Sequence, residues 1–152
     1  MEEFWELSTN CNLDGDATLK STGSGAWGRS QQFDVKSGIS FIKLKFLATH
    51  NGYFSVGIGS KLQLVAGFNY SSNPAMAFFY EGFSGKVNGE HKAKRCTTPN
   101  VGVSITFKLD QNSVSFAIDD VSQPGSWLIP ELFYIFVDIY HPGSYAEILA
   151  VK

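Results

Sequence analysis

The chain has 152 residues, enough for one domain that buries roughly two-thirds of its unfolded surface without help from a disulfide or a metal. Fifteen glycines, thirteen phenylalanines and six tyrosines beside only 17% charged residues fit an all-β domain with many tight turns. The net charge of −2 supplies no positive field for nucleic acid or an anionic membrane.

In chain order, residues 4–7 read as a short apolar strand, followed by a turn-rich segment, 10–15. Residues 17–20 form a second short strand, and 21–28 a glycine–serine loop carrying Trp27. Residues 31–35 lead into 41–47, where Ile42, Leu44 and Phe46 alternate with Lys43 and Lys45. That period of two marks a strand with one face in the core and one in water. His50-Asn51-Gly52 supplies Asn-Gly turn chemistry and predicts a hairpin to the strand 53–60. There Phe54, Val56 and Ile58 point inward and alternate with Ser55, Gly57 and Gly59. Glycines at alternate strand positions imply that a backbone or a large side chain lies close against that face.

Residues 62–68 read as a further strand, 69–74 as a polar loop and 77–80 as an aromatic strand. Residues 82–94 form a hairpin region turning at Asn88-Gly89. The clearest pattern is residues 101–118. Val101, Val103, Ile105, Phe107 and Leu109 share a face, and Val114, Phe116 and Ile118 follow across a polar turn at 110–113. A loop at 119–130 carries Trp127, and the strands 133–140 and 145–151 close the chain around His141-Pro142-Gly143. Short strands with breakers every 8–12 residues predict one domain, 1–152, built as a two-sheet antiparallel β-sandwich.

The order of these motifs resembles a SPRY domain. The corresponding pieces are the glycine-rich loop with Trp (23–27), the strand YFSVGIG (53–59), Phe79 to Gly82 with Asn88-Gly89, the hairpin 101–116 and the terminal strand 130–139. Two positions depart from the family pattern: Asp119-Asp120 stands where it has Asn-Gly, and Pro99-Asn100 where it has Gly-Asp. The resemblance implies a concanavalin A-like jelly roll. It also implies a non-catalytic module that recognises a peptide or protein partner through loops at one edge of the sandwich. A carbohydrate-binding lectin on the same architecture is the alternative, although the galectin pattern is absent, since Trp27-Gly28 is followed by Arg29-Ser30.

No residue pattern points to catalysis, a metal or a cofactor. Gly23-Ser24-Gly25-Ala26-Trp27-Gly28 is a literal GxGxxG, but no helix follows to meet a pyrophosphate. His50, His91 and His141 fall in turns without metal-ligand spacing. Cys11 and Cys96 form no CxxC and read as free thiols of a reducing compartment. Met1-Glu2-Glu3 carries the wrong charge to open a signal peptide, and even the apolar run 132–140 contains Asp138, so a cytoplasmic, non-membrane setting is expected.

Ligand contact is expected from loops on a rigid frame. The candidates are Asn69, Tyr70, Tyr80, His91, Trp127, His141 and Tyr145, aromatic rings and polar donors that suit peptide recognition and also sugar stacking. Trp127, between Ser126 and Leu128 in a loop, leads this set; its other reading is a plug at the end of the sandwich. The basic stretch 86–95 (KVNGEHKAKR) reads as a solvated hairpin, or as a surface for an acidic peptide. The second face of 133–140, with Tyr134, Phe136, Asp138 and Tyr140, is expected to be covered, with Phe4 and Trp5 as the candidates for covering it.

Overall fold

The computed structural model describes residues 5–15, 17–60 and 76–152. The predicted strand 62–68 and the polar loop 69–74, with Asn69 and Tyr70, lie outside the described residues, as does Phe4. The strands are β1 (Trp5–Leu7), β2 (Cys11–Leu13), β3 (Thr18–Ser21), β4 (Trp27–Ser30), β5 (Phe33–Asp34), β6 (Phe41–Leu47), β7 (Ser55–Gly59) and β8 (Phe78–Glu81). They continue as β9 (Lys86–Val87), β10 (Glu90–His91), β11 (Val103–Asp110), β12 (Ser113–Ile118), β13 (Val121–Ser122), β14 (Trp127–Leu128), β15 (Leu132–Asp138) and β16 (Tyr145–Val151).

All pairings are antiparallel and build two sheets. One runs β1-β4-β15-β7-β8-β9-β10, with β5 also on β15. The other runs β13-β12-β11-β6-β16-β3-β2, with β14 also on β12. The alternation read in the sequence is what sorts side chains between them. On β6, Ile42, Leu44 and Phe46 are fully buried while the lysines between them face outward. Val56, Ile58, Ile135 and Val137 answer from the opposite sheet, and the interleaved inner faces form one continuous apolar core.

The hairpin of β11 and β12 turns through Gln111 and Asn112, with Asp110 opposite Ser113, and Gln111 takes a positive φ of 55°. Val101, expected on the buried face of this strand, is 56% exposed. The strand begins only at Val103, because Asn100 turns the chain with φ 63°.

The hairpin expected at His50-Asn51-Gly52 is not formed. β6 pairs with β11 and β16, whereas β7 pairs with β15 and β8 in the other sheet. The Asn-Gly turn therefore carries the chain across the sandwich. Side chains of β7 are buried on both faces, which requires packing over its outer face as well as the core on its inner one.

The outer face of β7 explains its glycines. Opposite Gly57, a Cβ would stand 2.5 Å from Met76 Sδ. Met76 packs there with Phe79 and Phe136, bordered by Trp27 and Tyr134. On the second face of β15 Phe136 and Asp138 are thus buried and Tyr134 is half-buried, Met76 and Phe79 packing on Phe136, but Tyr140 stays 44% exposed; Trp5 belongs to the core between the sheets.

Candidate functional site

Register places several strand ends together. Leu47 lies opposite Tyr145, and Phe46 opposite Val103. In the other sheet Ser55 lies opposite both Asp138 and Glu81. The connections 48–54, 82–85, 94–102, 119–120 and 139–144 consequently emerge at one end of the sandwich.

These loops are tied to each other. The Ser144 hydroxyl, itself fully buried, accepts from the Thr49 amide at 3.0 Å, and the Thr49 hydroxyl donates to the Pro142 carbonyl at 2.9 Å. The Gly25 amide donates to the Tyr140 carbonyl at 2.9 Å, and the Asn100 amide to the Ala48 carbonyl at 2.8 Å. At Gly52, φ is +65° and a Cβ would stand 2.7 Å from the Cys96 carbonyl oxygen. Only a residue without a side chain lets these two loops close on one another.

On one flank of loop 48–54 stands a group of rings. His50 and His141 lie 4.8 Å apart between centroids at 38°. Tyr53 meets Tyr140 edge-on at 6.4 Å and His141 at 6.1 Å, and Tyr140 is 44% exposed. Partial burial and the neighbouring His50 hold the His141 imidazolium below its usual range. Rings with polar edges, fixed by packing, can stack on a ligand and hydrogen-bond to it at little entropic cost.

Beneath them Asp138 is nearly buried. Burial first, and the Glu81 charge second, push its carboxyl up to about 7, partly offset by a hydrogen bond from Tyr53. Burial and the Asp138 charge push the Tyr53 phenol up to about 12.

On the other flank is a pocket of about 180 Å³. Ala48, Phe54 and Val103 form its apolar floor, and Lys94, Arg95 and Asp119 stand at its rim. The Asp119 carboxylate accepts from the Ser104 amide at 2.9 Å. Cys96 also lines the pocket, and burial pushes its thiol up, away from the reactive thiolate. Both cysteines are free.

Of the residues expected to touch ligand, His141 is at this end among the rings. Tyr80 is fully buried; its hydroxyl donates to the Lys94 carbonyl at 2.6 Å, so it can support the pocket loop but cannot meet a ligand. Trp127 packs at 5.1 Å from Phe78 and 5.9 Å from Phe116, which is the plugging arrangement. His91 is exposed on the edge strand β10, its Nδ1 3.0 Å from the Ser84 carbonyl oxygen. Tyr145 lies opposite Leu47 and Lys20, half-buried on the outer face of its sheet. His50, Tyr53, Tyr140 and the pocket residues did not stand out in the sequence, because the crossing of loop 48–54 between sheets is what brings them together.

No protein-family model matches the chain, and no curated protein does. Solved structures do. The SPRY domain of human HERC1 superposes with a TM-score of 0.67 over 96% of this chain and 94% of that one, at 18% identity. The chain has the SPRY fold. A second human SPRY domain gives a TM-score of 0.62 at 17% identity, covering 95% of each chain. A carbohydrate-binding module, CBM66 from Bacillus subtilis, gives 0.57 at 10% identity over 97% of this chain and 93% of that one. Among the described residues no helix is long and apolar enough to cross a membrane.

Proposed function

We propose that residues 1–152 act as one non-catalytic binding module that recognises a peptide or protein partner through the loop end holding His50, Tyr53, Tyr140 and His141. The observation that carries this reading is the joining of three loops from both sheets by fixed hydrogen bonds. The result is a rigid surface with exposed ring edges beside a pocket with an apolar floor and a polar rim. A pre-ordered surface of this kind loses little freedom on binding. Of the residues named from the sequence, His141 is retained as a contact residue, and Tyr145, at the same end of its strand, as a peripheral one. Two free thiols fit a cytoplasmic setting.

Glycan binding is the second reading, favoured by the likeness to a carbohydrate-binding module and by rings able to stack on a sugar. The two separate in an affinity capture from untreated and enzymatically deglycosylated lysate, run with the native chain and with Tyr140→Ala/His141→Ala. Partners retained after deglycosylation and lost with the double variant support peptide or protein recognition. Partners lost on deglycosylation make the protein a lectin. Partners unaffected by the double variant remove this end from the interface.

A further inference from the structure

The pocket beside the ring surface has an unbalanced rim. Lys94 and Arg95 are exposed at its edge. Among the described residues, neither of these two cations has a carboxylate within ion-pair distance; the pairs present are Arg29–Glu6, Lys36–Glu131, Lys43–Asp120 and Lys92–Glu90. Asp119, the acidic member of the rim, is already engaged by the Ser104 amide and faces its hydroxyl. The Arg95 guanidinium makes one long contact, 3.5 Å from Nε to the Phe83 carbonyl oxygen. Below this rim the floor is apolar, and Val101 is left 56% exposed at its lip.

This asymmetry stands out because the chain as a whole is acidic, at −2. Single exposed cations need no explanation. Two adjacent cations without ion-pair partners at the rim of one cavity with an apolar floor form a surface complementary to a ligand with the opposite arrangement: a central apolar side chain flanked by carboxylates. The volume admits one aliphatic side chain, and the cations stand where neighbouring carboxylates of an extended peptide would lie. Guanidinium and ammonium groups there would steer association and fix register more than they would add affinity.

We infer that this pocket takes an acidic peptide segment, one aliphatic side chain entering between Phe54, Val101 and Val103 while flanking Asp or Glu residues meet Lys94 and Arg95. The inference rests on the reading of the chain as a peptide-binding module and names the chemistry of its ligand. It also accounts for the basic stretch 86–95, which ends at this rim.

The test is selection from an unbiased displayed library of random peptides against the native chain, followed by fluorescence anisotropy on the selected peptides. Binding is compared between the native chain and Lys94→Glu/Arg95→Glu, whose two positions are exposed, with folding checked by circular dichroism. The expected result is enrichment of Asp and Glu beside an aliphatic residue. Affinity is expected to fall tenfold or more in the charge-reversed variant, and to fall as ionic strength rises from about 0.05 M to about 0.5 M. Selected peptides that are neutral or basic, or affinity that ignores the reversal while Tyr140→Ala/His141→Ala abolishes it, overturn the acidic-ligand inference and leave peptide binding standing. Selection of no peptide, with binding to glycans instead, overturns both.

Discussion

The Tyr80 hydroxyl donates to the Lys94 carbonyl at 2.6 Å, joining a fully buried core ring to the loop that forms the pocket rim. The same hydroxyl lies 3.4 Å from Cys96 Sγ, and the Cys96 amide donates to the Gly82 carbonyl at 2.6 Å. This phenol and backbone bond hold the middle of an irregular segment whose ends are fixed by the Lys94 amide to the Gln123 side chain and the Asn100 amide to the Ala48 carbonyl.

Tyr80→Phe keeps the ring and removes the donor. The expected cost is about 1 kcal/mol in denaturant unfolding. Amide exchange should accelerate at Cys96 and its neighbours while β11 and β12 stay protected. Acceleration spread evenly over both sheets would deny the phenol a local role.

Gly52→Ala tests the contact between loops 48–54 and 94–102. Its φ of +65° and the 2.7 Å approach to the Cys96 carbonyl oxygen both oppose a side chain, so destabilisation of about 2 kcal/mol or more is expected. Equal stability of variant and native chain would show that the loops do not close as described.

Asp138 gives a pH dependence of definite sign. Its carboxyl titrates near 7 in the fold against an ordinary value of 3.8, so between these values the folded chain holds a proton that the unfolded chain has lost. Stability therefore falls as pH rises from about 4 to about 7 and is flat in this group above that, by on the order of a few kcal/mol. Asp138→Asn should lack this slope, so that the difference between native and variant stability falls as pH rises from about 4 to about 7. A slope of the opposite sign would mean that the carboxylate is stabilised, not penalised, beside Tyr53 and Glu81.

Trp127→Ala, which the sequence nominates as a loss of binding, is expected to act on stability. With its ring against Phe78 and Phe116 and part of it exposed, the loss should be about 2–4 kcal/mol. Ligand affinity per folded molecule should be unchanged. A normal unfolding midpoint with weakened binding would restore Trp127 to the interface.

The period-two patterns of β6, β11, β12 and β15 made the sandwich legible, because a strand with one buried face writes that face directly into its sequence. The order of motifs from Trp27 to the closing strands carried the likeness to the SPRY fold. Which strands neighbour one another was less visible. Asn51-Gly52 has the chemistry of a hairpin, and only the pairing of β6 and β7 with strands of different sheets reveals that it crosses between them. The site was hidden for the same reason: Tyr53 and Tyr140 are 87 residues apart yet meet edge to edge. A lone tyrosine in a loop carries no sequence signal of its partner.

On the proposed function, ligand is received at the end built by loops 48–54, 94–102 and 139–144. The most direct test is amide chemical-shift mapping of the native chain titrated with the tightest peptide from an unbiased displayed library. Shifts are expected to concentrate at residues 49–54, 94–103 and 139–143 and to be lost together with binding in Tyr140→Ala/His141→Ala. Shifts confined to the opposite end, around Leu128 and Leu132, or to the outer faces of the sheets, would contradict it.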